Sequence, residues 1–150
     1  VSFGVKGMIL KQLSVFIENA PGRLHEVTSI LAEAGINLRA LTLVDKGDFG
    51  VLFLLVPDVN KAREMMTERQ IPSRVDEVVA AEIEDKPGSL AAILKPLGDA
   101  NVNVQYMYAF VSFHRGRAIM IFHFSDNEKA IGVLRQQGIR VLDAETVAFM

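Results

Sequence analysis

Ile17-Glu18-Asn19-Ala20-Pro21-Gly22-Arg23-Leu24 returns later in the chain as Ile83-Glu84-Asp85-Lys86-Pro87-Gly88-Ser89-Leu90. Ala34-Gly35-Ile36-Asn37-Leu38 returns as Ala100-Asn101-Val102-Asn103-Val104. One offset, 66, separates Pro21 from Pro87 and Asn37 from Asn103. A repeat at fixed offset sets the architecture before any local pattern is read. What recurs is more than apolar periodicity. A Pro-Gly turn and a polar Asn between apolar residues recur with it.

Working outward, Ile9–Ile17 reads as a strand that ends at Asn19-Ala20-Pro21-Gly22. Leu24, Val27, Leu31 and Ala34 then fall on one helical face, and Gly35 closes that helix. Leu38–Val44 and Gly50–Val56 read as a hairpin about Asp45-Lys46-Gly47-Asp48. A second helix carries Val59, Ala62, Met65 and Met66, and Arg74–Val79 is a fourth strand. The second half repeats the order. Ala80–Ile83 is a strand, Ser89–Ala100 a helix that Pro96 should kink, and Val102–Phe113 and Gly116–Phe124 a hairpin. Asn127–Gln137 is a helix and Ile139–Leu142 a strand. Strand–helix–strand–strand–helix–strand is the ferredoxin-like βαββαβ unit. The chain is therefore expected to be α+β, with two modules at 8–78 and 79–150. Val1–Gly7 stands outside the repeat and reads as a vector remnant ahead of Met8.

Composition narrows the functional classes. The 150 residues carry a formal net charge of −2 and no cysteine. That excludes disulfides, thiolate catalysis and Cys-ligated metal, and it disfavours nucleic acid as a partner. The longest apolar run, Val51–Val56, is far short of the ~18 residues of a membrane span. No secretory signal is seen, so a cytoplasmic protein without a membrane partner is expected. His25, His114 and His123 are scattered, and His25-Glu26 lacks the second His of a zinc-protease helix. His123, in an apolar strand, reads as a core or interface residue. Met65, Met66 and Met107 read as core, and one of Tyr106 and Tyr108 is a candidate for a ligand site. Lys46–Phe53 superficially resembles an RNA-binding strand signature, but Arg117 and Ile119 stand where its second copy needs stacking aromatics. No catalytic constellation, metal set or cofactor fingerprint is present.

The repeated polar residues are the candidate site. The Pro-Gly turn sets backbone N–H groups of Gly22, Arg23 and Leu24, and of Gly88, Ser89 and Leu90, at a helix N-terminus. Unpaired donors and the positive end of the dipole suit a carboxylate there, although Pro-Gly turns also serve as plain punctuation. Asn19 and Asp85 read either as helix caps or turn-stabilising residues or as polar groups at the mouth of that site. Asn37 and Asn103 open apolar strands although Asn is a poor strand former. They read as turn residues or as acceptors for a ligand ammonium. A bound carboxylate and a bound ammonium together describe a free amino acid.

ENAPGRLHEVTSILAEAGINL and EDKPGSLAAILKPLGDANVNV resemble the opening of an ACT domain, and the resemblance extends over Met8–Val147 as two units. It implies a stand-alone tandem ACT protein that binds amino acids, regulates metabolism and has no catalytic role or cofactor. It also implies modules packed side by side into a continuous antiparallel sheet with helices on one face, with ligand held between paired modules. Carried over by position, the ligand-binding residues are Asn19, Gly22, Arg23, Leu24 and Asn37, then Asp85, Gly88, Ser89, Leu90 and Asn103. The expected partners are a free amino acid, a second copy of the chain in a homodimer, and a metabolic enzyme. The alternative is a regulatory subunit that docks on an enzyme and binds no small ligand.

Overall fold

The computed structural model describes residues 4–110 and 116–148. Its elements follow the repeat. After a 3-10 turn at Val5–Met8 come β1 (Leu10–Glu18), α1 (Arg23–Glu33), β2 (Ala40–Asp45), β3 (Phe49–Leu55) and α2 (Val59–Glu68). The central strand is β4 (Ser73–Glu84). Then come α3 (Ser89–Asp99), β5 (Val104–Ala109), β6 (Arg117–Phe124), α4 (Asn127–Gln136), β7 (Arg140–Leu142) and α5 (Ala144–Ala148). The two strands expected at Arg74–Val79 and Ala80–Ile83 are thus one strand of 12 residues. Its run from Val78 to Ile83 is buried throughout, and no Gly or Pro interrupts it. The expected strand Val102–Phe113 is described as Val104–Ala109, with residues 111–115 outside the described set. His114 lies among them. Helix α3 runs on through Pro96, and α5 has no counterpart in the sequence pattern.

Contacts divide the chain into one unit of Lys11–Asp76 and another of Val1–Leu10 with Glu77–Met150. The antiparallel sheet is continuous through β4, in the order β2-β3-β1-β4-β6-β5 with β7 paired to β4.

In the Lys11–Asp76 unit, α1 and α2 cover one face of β1 and β3. Leu13, Val15 and Ile17 pack with Leu52 and Leu54 beneath Val27, Ile30, Leu31, Ala62 and Met66. Alternation along the strands puts these residues on one side, and the three- and four-residue spacing in the helices meets them. On the opposite strand face, Gln12 and Ser14 are fully buried. Gln12 Nε2 donates to Ser14 Oγ over 3.2 Å, and Ser14 Oγ donates to Asp76 Oδ2 over 2.7 Å. Arg74 donates to the same carboxylate and lies 5.4 Å above the Phe16 ring. Burying these polar groups is tolerable because they bond one another.

The other unit builds the same core from Val79, Ala81, Ile83, Ile93, Leu97, Phe122, Phe124, Ala130, Ile131 and Leu134. Leu97 is 1 % exposed, and a Leu-to-Ala change at such a site costs about 2–5 kcal/mol. Val5 and Met8 also pack on this core, so Val5–Gly7 join the fold although their sequence stands outside the repeat. Asp58 and Asp126 cap α2 and α4 by accepting from Lys61 N and Lys129 N. Those two caps are 68 positions apart. The offset therefore grows by two within the hairpin region, which is two residues longer in the second repeat.

Candidate functional site

Each Pro-Gly turn ends a strand and starts a helix through a left-handed glycine. Gly22 has φ 89° and Gly88 φ 87°, and each is the N-cap of its helix without a side-chain cap bond. A Cβ on either would meet nothing within 4 Å, so the glycine is there for its backbone angle rather than for space. Arg23 N and Ser89 N each close a turn at 3.3 Å, to Ala20 O and Lys86 O. The remaining first-turn amides have no intrahelical acceptor. The outward donors are therefore those after Arg23 and Ser89.

Asn19 does not cap α1. Its Nδ2 donates to Gly47 O over 2.8 Å and to Asp45 Oδ1 over 3.2 Å, and its backbone N–H donates to Asp48 O. The side chain therefore fastens the Pro-Gly turn to the β2–β3 hairpin, and its amide oxygen is left to accept. Asp85 makes the matching backbone bond to Gly116 O.

Asn37 and Asn103 are exposed and precede β2 and β5. Each stands past the C-terminal end of the helix whose N-terminus carries the Pro-Gly turn. An 11-residue helix spans roughly 16 Å. Within one unit, then, the Asn and the Pro-Gly turn are not brought together. Asn103 N donates to Ser125 Oγ, and Asn103 O accepts from Ser125 N. The left-handed residue after each helix is Gly35 (φ 73°) in one repeat and Asn101 (φ 61°) in the other. Asn tolerates that angle best after Gly, which accounts for this difference between the copies.

Two recesses flank the first turn. One, of about 160 Å³, lies toward the hairpin and is lined by Ile17, Asn19, Ala20, Leu24, Leu43, Asp45 and Gly50 among others. The other, of about 280 Å³, lies toward the end of α2 and includes Glu18, Arg23, Glu26, Arg69 and Gln70. There the Arg23 guanidinium bridges Glu26 (3.0 Å) and Glu18 (3.3 Å). The hydrogen bond to Glu26, then the Glu18 charge, raise the Arg23 pKa. The second turn borders a recess of about 460 Å³ that includes Glu82, Glu84, Lys86, Ser89, Arg117 and Gln137. Lys86 pairs with Glu84 at 2.7 Å and lowers the Glu84 pKa, chiefly through that bond. The hairpin and helix-end residues of these recesses were missed from the sequence because they come from elements distant in the chain.

The tyrosines line none of these recesses. Tyr106 stacks on His123 with ring centroids 4.7 Å apart, and Tyr108 is buried, which raises its phenol pKa. His123 Nδ1 has no hydrogen-bond partner among the described residues. Met66 is buried, and Met65 and Met107 pack against the cores. Among the described residues no cluster of His, Cys, Asp or Glu is arranged to hold a metal, and no helix is long and apolar enough to cross a membrane.

Comparison with known proteins completes the site's context. A family model described as an ACT domain pair matches residues 8–150. Protein BT0572 from Bacteroides thetaiotaomicron is similar at 34 % identity and TM-score 0.89, over 95 % of this chain and 98 % of that one. The ligand-free regulatory subunit of aspartate kinase from Thermus thermophilus shares the fold at 16 % identity and TM-score 0.60, over 85 % and 95 % of the two chains. Its Thermus flavus counterpart does so at 18 % and 0.60, over 95 % and 97 %. A comparison with curated proteins gives no match.

Proposed function

The chain belongs to the ACT domain pair family, and from that premise we propose that it is a non-catalytic sensor of a free amino acid that controls amino-acid metabolism. The observation that carries this reading is the hairpin-side recess. It joins first-turn helix donors, suited to a carboxylate, with the Asn19 amide oxygen, suited to an ammonium. A few charge-assisted bonds of about 1.5–3 kcal/mol each, less the cost of association, give affinity on the order of micromolar.

The recess opens at strand β2, which ends the sheet order. Leu41 and Leu43 on that strand are 37 % and 46 % exposed, and Leu24 beside them is 38 % exposed. An apolar edge with unpaired backbone groups invites another strand. In our reading a second copy pairs there, antiparallel and related by two-fold symmetry. Such pairing sets the start of one β2 beside the end of the other. The partner's Asn37 then comes to the recess that holds Asn19, and so completes the site that one unit leaves open. Ligand shifts the dimer only by its differential affinity for the paired state.

Thermal shift of the wild-type chain and of Asn37→Ala and Asn103→Ala tests this. The sensor reading expects an amino-acid response that Asn37→Ala weakens with the fold retained. A second reading rests on the exposed Leu24, Leu41, Leu43 and Phe49: these residues dock on a metabolic enzyme, and no small ligand binds. That reading expects no thermal response to any amino acid, and loss of enzyme binding when Leu41 and Leu43 become polar.

A further inference from the structure

The two repeats differ most on the helix-end side of the Pro-Gly turn. Glu18 corresponds to Glu84, Arg23 to Ser89 and Glu26 to Ala92 at offset 66. Arg69 and Gln70 correspond to Gln137 and Gly138 at offset 68. The two recesses are therefore one feature, built twice. In the first repeat, the guanidinium of Arg23 spans it, held by Glu18 at the end of β1 and Glu26 on α1. In the second, Ser89 and Ala92 are too short to do so, and the space is about 460 Å³ rather than about 280 Å³. Of the two carboxylates that hold the guanidinium in the first repeat, Glu18 is kept as Glu84 and Glu26 is replaced by Ala92. Glu82, only 8 % exposed, adds another.

We infer that the second repeat carries a further ligand recess, separate from the hairpin-side site, for an amino-acid zwitterion, and that Arg23 occupies its counterpart in the first repeat. The argument from charge is direct. The recess is lined by two carboxylates, Glu82 and Glu84, and two cations, Lys86 and Arg117; outside the lining, Arg140 pairs with Glu82 at 3.4 Å and its charge is offset by the Asp143 carboxylate beside it. A neutral zwitterion preserves that balance. Its ammonium takes the place that the Arg23 guanidinium holds against Glu18, now at Glu84. Lys86 yields it readily, because both members of the Lys86–Glu84 pair are more than half exposed and such pairs contribute little. The ligand carboxylate meets the Ser89 hydroxyl and Arg117, which stands a loose 3.8 Å from Glu82. Gln137, in place of Arg69, puts an amide rather than a third cation on the wall.

The test follows backbone amide shifts of the full chain titrated in turn with each of the twenty L-amino acids. For at least one of them, Ser89, Gln137 and Gly138 should move, and Arg69 and Gln70 should not. Ser89→Arg should weaken that response on the order of tenfold or more. In Arg23→Ser with Glu26→Ala, the response should appear at Arg69 and Gln70. Shifts confined to Asn19, Leu43 and Gly50 would leave the sensor reading standing and overturn this inference. Shifts at Arg69 and Gln70 in the wild-type chain would overturn it too, because Arg23 would then not exclude ligand. No shift anywhere would defeat both readings.

Discussion

Asn19 donates its side-chain amide to the Gly47 carbonyl over 2.8 Å, tying the Pro-Gly turn to the tip of the β2–β3 hairpin. The bond fixes which end of the Asn19 side chain is left for a ligand. It also makes the residue both a fastener and a candidate ligand group.

Asn19→Ala should therefore loosen the hairpin as well as any site. Loss of the Gly47 and Asp45 bonds should lower stability by about 1 kcal/mol, and amide exchange should rise at Lys46, whose N–H bonds Phe49 O, and at position 19, whose backbone N–H bonds Asp48 O. Denaturant titration with hydrogen exchange reads both. Unchanged exchange would mean that the side chain does not hold the turn.

Gly22→Ala and Gly88→Ala should each cost about 1–2 kcal/mol, the cost of a left-handed angle for an L-residue. Space is not the reason, since a methyl group at either position would meet no atom within 4 Å. Urea midpoints measure the loss, with the slope unchanged.

Asp126→Ala removes the acceptor for Lys129 N at the start of α4. Loss of such a cap costs about 1 kcal/mol. Asp126→Asn should retain most of the stability, since an amide oxygen still accepts. Thermal melts of the two variants distinguish capping from charge.

Alkaline pH should report on the burial of Tyr108. Burial raises the Tyr108 phenol well above its ordinary value. The folded state then holds a proton that the unfolded chain releases near roughly pH 10. The associated stability is complete below that pH and declines as pH rises through it. Phenolate absorbance should show Tyr108 ionising late, together with unfolding. Ionisation of Tyr108 near its ordinary value in the folded chain would contradict its burial.

The repeat at offset 66 made the two βαββαβ units legible, because strand and helix periodicities recur with their stop signals. The continuity of β4 was not legible. A strand buried on both faces has no alternation to mark where one repeat ends and the next begins, and Val78-Val79-Ala80-Ala81 offers no turn residue. α5 was missed because a five-residue helix capped by Asp143 carries too little periodicity to read. At the site, the left-handed glycines were legible from Pro-Gly. A turn-stabilising Asn19 was legible too, but its partners Asp45 and Gly47 were not, since hairpin geometry sets them. The bridging of Glu18 and Glu26 by Arg23 depends on how far a strand end sits from the first helical turn. Sequence spacing does not give that distance. Asn37 matched a ligand group by type, and the repeat alone did not show that an 11-residue helix separates it from the Pro-Gly turn of its own unit.

Isothermal titration of the chain with each of the twenty L-amino acids tests the central claim most directly. The account predicts saturable heat with at least one of them, at roughly micromolar affinity, with the hairpin-side component lost in Asn37→Ala while the fold is retained. No heat with any amino acid, from a chain shown by its amide spectrum to be folded, would contradict it.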